Sequence, residues 1–394
     1  MTAPTAQTAD SRYAWSIVAA LGVTATVSYG VLGYAFSIAI VPMQESLGWS
    51  SAELTGAYSL SILVSGVAAL AVGRLLDRRS PRVPMTLGSA LAAALVFAWS
   101  RVDSLPELYL VFAGIGLAMA LVLYEAVFIV VTKWFVVRRG AALTTVTLIA
   151  AFASFVFSPL TERLVTAYGW RDAMAILALV LAAVTVPLHA LVLRPAPPHD
   201  HAESKPVATA YRSTAFWLLV SAFVLSAFAT AAVTVHLVPL LIGRGREPAF
   251  AAFAAGLLGL AQLAGRLLFA LGARAPAAAF TLAAVSLAFL ALEQSRWAVV
   301  AFALAYGTSN GMTTLVRATV VGDLYGVASY GTISGIVSTF VLGARAAGPF
   351  GAALLALLPG GYTTLLVALA AGNAAAAAIA ASALRTTRQR PISA

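Results

Sequence analysis

The sequence predicts an all-α integral membrane protein whose twelve transmembrane helices form two six-helix bundles. Three observations carry that prediction. The 394 residues are 61% hydrophobic and only 10% charged, with mean hydropathy +0.94, whereas a soluble domain is roughly 45–50% apolar and about 25% charged. The apolar residues fall into long uncharged runs, and roughly 20 such residues cross a hydrocarbon core of about 30 Å. One long polar stretch, about 195–213, divides these runs into six and six. A soluble enzyme is excluded, because there is too little polar surface to coat a globule of this size. Disulfide scaffolds are excluded by the absence of cysteine. Membrane strands are excluded because the runs are too long, too rich in Ala and Leu, and lack alternation.

Each span is read between charged, proline or glycine boundaries. After a polar cytoplasmic tail, 1–12, the N-terminal bundle (13–194) contains runs at about 13–41, 51–73, 83–100, 106–132, 141–162 and 172–194. The linker 195–213 combines proline, charge and small residues. The C-terminal bundle (214–384) contains runs at about 214–242, 250–273, 277–293, 297–322, 328–357 and 361–384, followed by a tail, 385–394. No cleavable signal peptide is expected, because the first apolar run is too long and others follow it.

Twelve spans place both termini on one side. That side holds fifteen of the 24 Lys and Arg residues, the opposite side six, and three lie at membrane depth. The positive-inside rule assigns the fifteen, and both termini, to the cytoplasm. The net charge of +10, which taken alone suggests a nucleic-acid binder, is therefore mostly topology. No nucleic-acid partner is expected; the lipid bilayer is. The expected location is a cell membrane of the bacterial inner-membrane kind, and the expected state a monomer. His199 and His201 in the linker supply too few ligands for a metal site. No phosphate-binding loop is visible, and no cofactor is expected.

The halves echo each other. The string GRLL occurs at Gly73–Leu76 and at Gly265–Leu268, Ser158-Pro159 is echoed by Gly348-Pro349, and Ser100-Arg101 by Ser295-Arg296, all at nearly one offset. A duplicated six-helix unit follows, and membrane proteins built from such repeats place their binding site at the repeat interface.

Between the second and third spans, Gly73-Arg74-Leu75-Leu76-Asp77-Arg78-Arg79-Ser80-Pro81-Arg82 resembles the loop motif G-x-L-x-D-R-x-G-R-R of the major facilitator superfamily. The resemblance implies a cytoplasmic gate latch formed by Gly73, Asp77, Arg78 and Arg82. Orientation alone needs only cations, so Asp77 argues for the latch. Pro42-Met43-Gln44-Glu45, Gly48-Trp49-Ser50, Trp134-Phe135, Arg138-Arg139-Gly140 and Gly169-Trp170-Arg171 are similar to the monocarboxylate-porter and oxalate:formate-antiporter branch. The fifth span lacks the G-x-x-x-G-P-x-x-G-G string of drug:proton antiporters, which lowers that alternative.

A charge at the bilayer centre costs roughly 2.5–3.5 kcal/mol on insertion scales, so each one needs a reason. Arg345 lies mid-span among small residues, Gly343 to Gly348, and is expected to face the interior and capture a carboxylate bidentately. Arg266 matches Arg74 if aligned by the GRLL echo. If Arg274 is the boundary charge, it lies on the order of 5 Å from the span centre, which fits the span length better. The porter and antiporter families carry an arginine at this position and a cation near Arg345, so the resemblance implies a two-cation clamp for an organic anion. Gln262, one turn before Arg266, stands where animal monocarboxylate porters have an acid, which puts simple copying of their proton coupling in doubt.

Glu125, the one deep carboxylate, is a proton carrier or a counter-ion. Arg317 reads as a gate or structural residue pairing with Asp323 or Glu125. Tyr29, Tyr124 and Asn310 are candidate cavity donors. His236 reads as a hydrogen-bonded packing residue. The expectation is a non-enzymatic secondary transporter of a mono- or dicarboxylate, by proton symport or anion exchange. The alternative is a drug or metabolite efflux antiporter of the same fold.

Overall fold

The computed structural model describes residues 12–135, 137–197, 207–270 and 276–388, and every regular element among them is helical. His199, His201 and the boundary residue Arg274 lie outside the described residues. Ten helical stretches among the described residues are long and apolar enough to cross a bilayer, and Pro276–Leu292 is a shorter apolar helix.

The first stretch is α1 (Arg12–Tyr29), a π-helical turn (Gly30–Tyr34) and α2 (Ala35–Leu47). Next come α3 (Ser51–Arg78) and α4 (Arg82–Trp99). Ser50 and Glu53 open α3 with reciprocal bonds. The Ser50 N–H donates to Glu53 Oε2 at 2.8 Å, and the Glu53 N–H donates to Ser50 Oγ at 3.2 Å. The expected continuous run 106–132 is instead two helices, α5 (Leu105–Val122) and α6 (Tyr124–Trp134).

After α7 (Arg139–Ala150), α8 (Phe152–Val192) is interrupted at Gly169, whose φ of 77° and ψ of 164° are not helical. The second half of the chain holds α9 (Val207–Tyr211), α10 (Thr214–Gly243), α11 (Pro248–Ala270), α12 (Pro276–Leu292), α13 (Arg296–Tyr325), α14 (Tyr330–Ala356) and α15 (Tyr362–Arg388). In the loop before α13, the Ser295 N–H donates to Glu293 at 2.8 Å. This bond and the Ser295 hydroxyl hold the Glu293 carboxyl below its ordinary range.

The chain forms two compact units: Met1–Ser204 with Val321–Thr339, and Lys205–Val320 with Phe340–Ala394. In the first, Phe36 stacks on Tyr58 with ring centroids 4.7 Å apart. Phe112 meets Trp99 edge-on at 5.1 Å, and Phe36 meets Phe112 at 5.6 Å. This aromatic cluster ties α2, α3, α4 and α5, and pairs of this kind contribute about 0.5–1.5 kcal/mol each.

A buried polar tie joins α1, α4 and α8. His189 Nδ1 lies 2.7 Å from Ser89 Oγ, and His189 Nε2 lies 3.0 Å from Thr24 Oγ1. In the second unit, Phe223 meets Phe280 at 5.7 Å, joining α10 to α12. His236 Nε2 lies 3.0 Å from the Pro349 carbonyl, a hydrogen-bonded packing contact.

Candidate functional site

The motif Gly73–Arg82 forms a specific structure. The Asp77 carboxylate, one residue before the end of α3, accepts three hydrogen bonds from the first turn of α14. They come from the Gly331 N–H at 3.0 Å, the Thr332 N–H at 2.7 Å and the Thr332 hydroxyl at 2.8 Å. A helix's first N–H groups have no intrahelical acceptor and carry partial positive charge, so Asp77 caps α14 from another element. Lys133 Nζ lies 3.4 Å from Asp77 Oδ1 and donates to the Leu76 carbonyl at 2.6 Å.

Gly73, one turn earlier, explains the spacing: a Cβ there would run into the Gly331 carbonyl. Only a glycine lets α3 come close enough for Asp77 to reach. Arg78 and Arg82 are exposed beside this contact. Asp323, at the end of α13, receives Arg139 of α7 at 3.2 Å, a partner absent from the sequence expectation.

Deeper in the first unit, Tyr29 and Tyr124 pack with centroids 4.7 Å apart and planes tilted by 57°, and Tyr124 stacks on Phe128 at 4.8 Å. The extended backbone at Leu123 (φ −89°, ψ −166°) separates α5 from α6 and places Glu125 in the first turn of α6. An acid there sits at the positive end of a half-helix. Broken helices at membrane depth are tolerated where they are buried in protein or line a cavity. Tyr29 directly precedes the π-helical turn; such turns are frequent at functional sites.

In the second unit, Arg266 on α11 is 7% exposed. A Cβ on Gly265 would meet the Thr308 carbonyl, and one on Gly311 the Gln262 carbonyl. The backbones of α11 and α13 therefore touch along the turn that carries Gln262 and Arg266, which fixes where both side chains start. Asn310, adjacent to Gly311, is 8% exposed and accepts from the Thr230 hydroxyl of α10 at 3.1 Å. Arg317 is half-buried further along α13. Arg345 lies on α14 and is exposed, with open space where a Cβ on Gly343 would point. The sequence expectation is an interior-facing Arg345; within its own unit the side chain is exposed.

His189 escaped sequence reasoning. Its partners Ser89 and Thr24 are 100 and 165 residues away, so no local pattern announces it.

Residues 21–349 match the family model described as Major Facilitator Superfamily. The chain is 26% identical over 337 residues to monocarboxylate transporter 13 of Rattus norvegicus, covering 80% of this chain and 76% of that one. It is 28% identical to the MFS-type transporter YcxA of Bacillus subtilis (strain 168), over 52% of each chain. It is 26% identical to the oxalate:formate antiporter of Oxalobacter formigenes, over 48% of this chain and 47% of that one. The chain thus spans about half the length of the latter two relatives. Among solved structures, the fucose:proton symporter FucP of E. coli aligns with a TM-score of 0.74 at 15% identity, covering 93% of this chain and 98% of that one. That likeness is one of fold.

Proposed function

Because this chain belongs to the Major Facilitator Superfamily and is a transporter rather than an enzyme, we propose that its cargo is a small organic anion, a mono- or dicarboxylate. It moves by alternating access, coupled to protons or exchanged for a second anion. The observation that carries this reading is Arg266, buried on a helix whose backbone is locked against α13. A buried guanidinium carried on so closely packed a helix is suited to bidentate capture of a carboxylate, and Arg345 supplies the second cation.

Tyr29, Tyr124, Gln262 and Asn310 are the polar groups that complete recognition. Glu125, at the start of a half-helix, carries the coupled proton or balances charge. Gly73, Asp77, Arg78 and Arg82 form the cytoplasmic latch, and Arg317 and Asp323 belong to the same gate. The bundle has twelve spans with both termini in the cytoplasm of a bacterial cell and works as a monomer. The relatives named for monocarboxylate and for oxalate and formate support the anion class.

The test is uptake into proteoliposomes against a panel of lactate, formate, oxalate, sulfonates and cationic drugs, with and without a pH gradient. Saturable uptake of a carboxylate, competed by other carboxylates and not by the cations, is expected. Transport confined to cationic or lipophilic drugs would replace this reading with efflux.

A further inference from the structure

The excess of cations at one end of the first unit surrounds a cavity. About 450 Å³ opens between the C-terminal ends of α3 and α6 and the chain leaving α8 at Pro195–Pro197. That volume lies within the range of small-ligand sites, about 300–1,000 Å³. Its lining is two-sided: Ile129, Val130 and Trp134 are apolar, while Arg78, Arg79 and Lys133 are cationic. Asp77, the one carboxylate in the lining, is already engaged by Gly331, Thr332 and Lys133. The guanidinium groups of Arg78 and Arg79 make no hydrogen bond or ion pair with any of the described residues.

Helix C-termini alone do not account for both cations. Arg78 is in the last turn of α3, where it complements the helix dipole, but Arg79 is the extended residue beyond it, with φ −123° and ψ 156°. Two guanidinium groups outweigh the partial charge of about −0.5 at each helix end, leaving a net attraction for an anion.

We propose that this cavity binds the phosphate headgroup of an anionic phospholipid, with Arg78 and Arg79 on the phosphate. Guanidinium and phosphate match in bidentate geometry. Two features favour a lipid over a free phosphate. The arginines stand at the ends of the apolar stretches Ser51–Arg78 and Leu105–Trp134, the level at which headgroups lie. Leu75 and Val83, on either side of them, are exposed apolar side chains along which an acyl chain can run. Basic pockets between membrane helices on the cytoplasmic side hold anionic headgroups in this way. The site is independent of what the protein transports.

Native mass spectrometry of the purified full-length protein, titrated with phosphatidylglycerol, phosphatidylcholine or inorganic phosphate, tests this. Phosphatidylglycerol is retained in preference to phosphatidylcholine and is not displaced by excess inorganic phosphate. The double variant Arg78→Gln/Arg79→Gln lowers its apparent affinity about 30-fold, or about 2 kcal/mol at 1.4 kcal/mol per tenfold. Arg79→Lys retains only part of it, because an ammonium keeps the charge and lacks the planar fork. Arg74→Gln, one turn back on the exposed face of α3 and outside the cavity lining, leaves it unchanged, and the melting temperature of each variant reports folding. Equal retention of the two lipids, displacement by inorganic phosphate, or an equal loss in Arg74→Gln would overturn the proposal.

Discussion

Arg266 and Arg345 differ in setting, and that sets different demands on their replacements. Arg266 is buried beside a glycine-tight helix contact, so both its charge and its fork geometry matter. Arg266→Gln should lower kcat/KM for carboxylate uptake by about 10- to 100-fold, from the 1.5–3 kcal/mol of a charged hydrogen bond. Arg266→Lys should recover only part of this, because an ammonium lacks the planar fork. Initial uptake rates in proteoliposomes check both. Asp77 is constrained otherwise, accepting three hydrogen bonds from α14 while facing Lys133. Asp77→Asn should destabilise the purified protein by about 2 kcal/mol, read as a lower melting temperature in detergent. Asp77→Glu should not rescue it, because Gly73 and Gly331 already meet backbone to backbone.

At the scale of elements, interruptions matter more than lengths. Gly169 ends one helical run and starts another with a positive φ. Its ψ of 164° puts it in a region that only glycine adopts readily, where a side chain costs roughly 1–3 kcal/mol, so Gly169→Ala and Gly169→Asn should both lower thermal stability. Melting curves of the two variants decide it. The ten long apolar helices among the described residues were legible in the sequence because bilayer thickness imposes a length and excludes charge, whereas the Ser50–Glu53 cap that opens α3 was not read from it. The break at Leu123 was not legible. Val122-Leu123-Tyr124 contains neither proline nor glycine, so tertiary packing rather than local propensity sets it. The Asp77 motif was legible as a motif, but the first turn of α14 as its receptor was not, because Gly331 and Thr332 lie 254 and 255 residues away. His189 was missed for the same reason: a lone histidine in an apolar run acquires meaning only from distant partners.

For the whole molecule, the charge distribution states an orientation that can be read chemically. The chain contains no cysteine, so single cysteines report without background. Glu45→Cys should react with a membrane-impermeant maleimide in intact cells, and the exposed position Val137→Cys only after permeabilisation; the reverse pattern would invert the topology. On the proposed orientation, the remaining charge is a small positive excess at membrane depth, whose proposed purpose is to hold an anion. The most direct test is the initial rate of carboxylate uptake into proteoliposomes by the wild-type protein and by Arg345→Gln at matched reconstitution. The account predicts saturable uptake of a carboxylate by the wild type and its near-complete loss in the variant. Unchanged uptake of every carboxylate tested would contradict it.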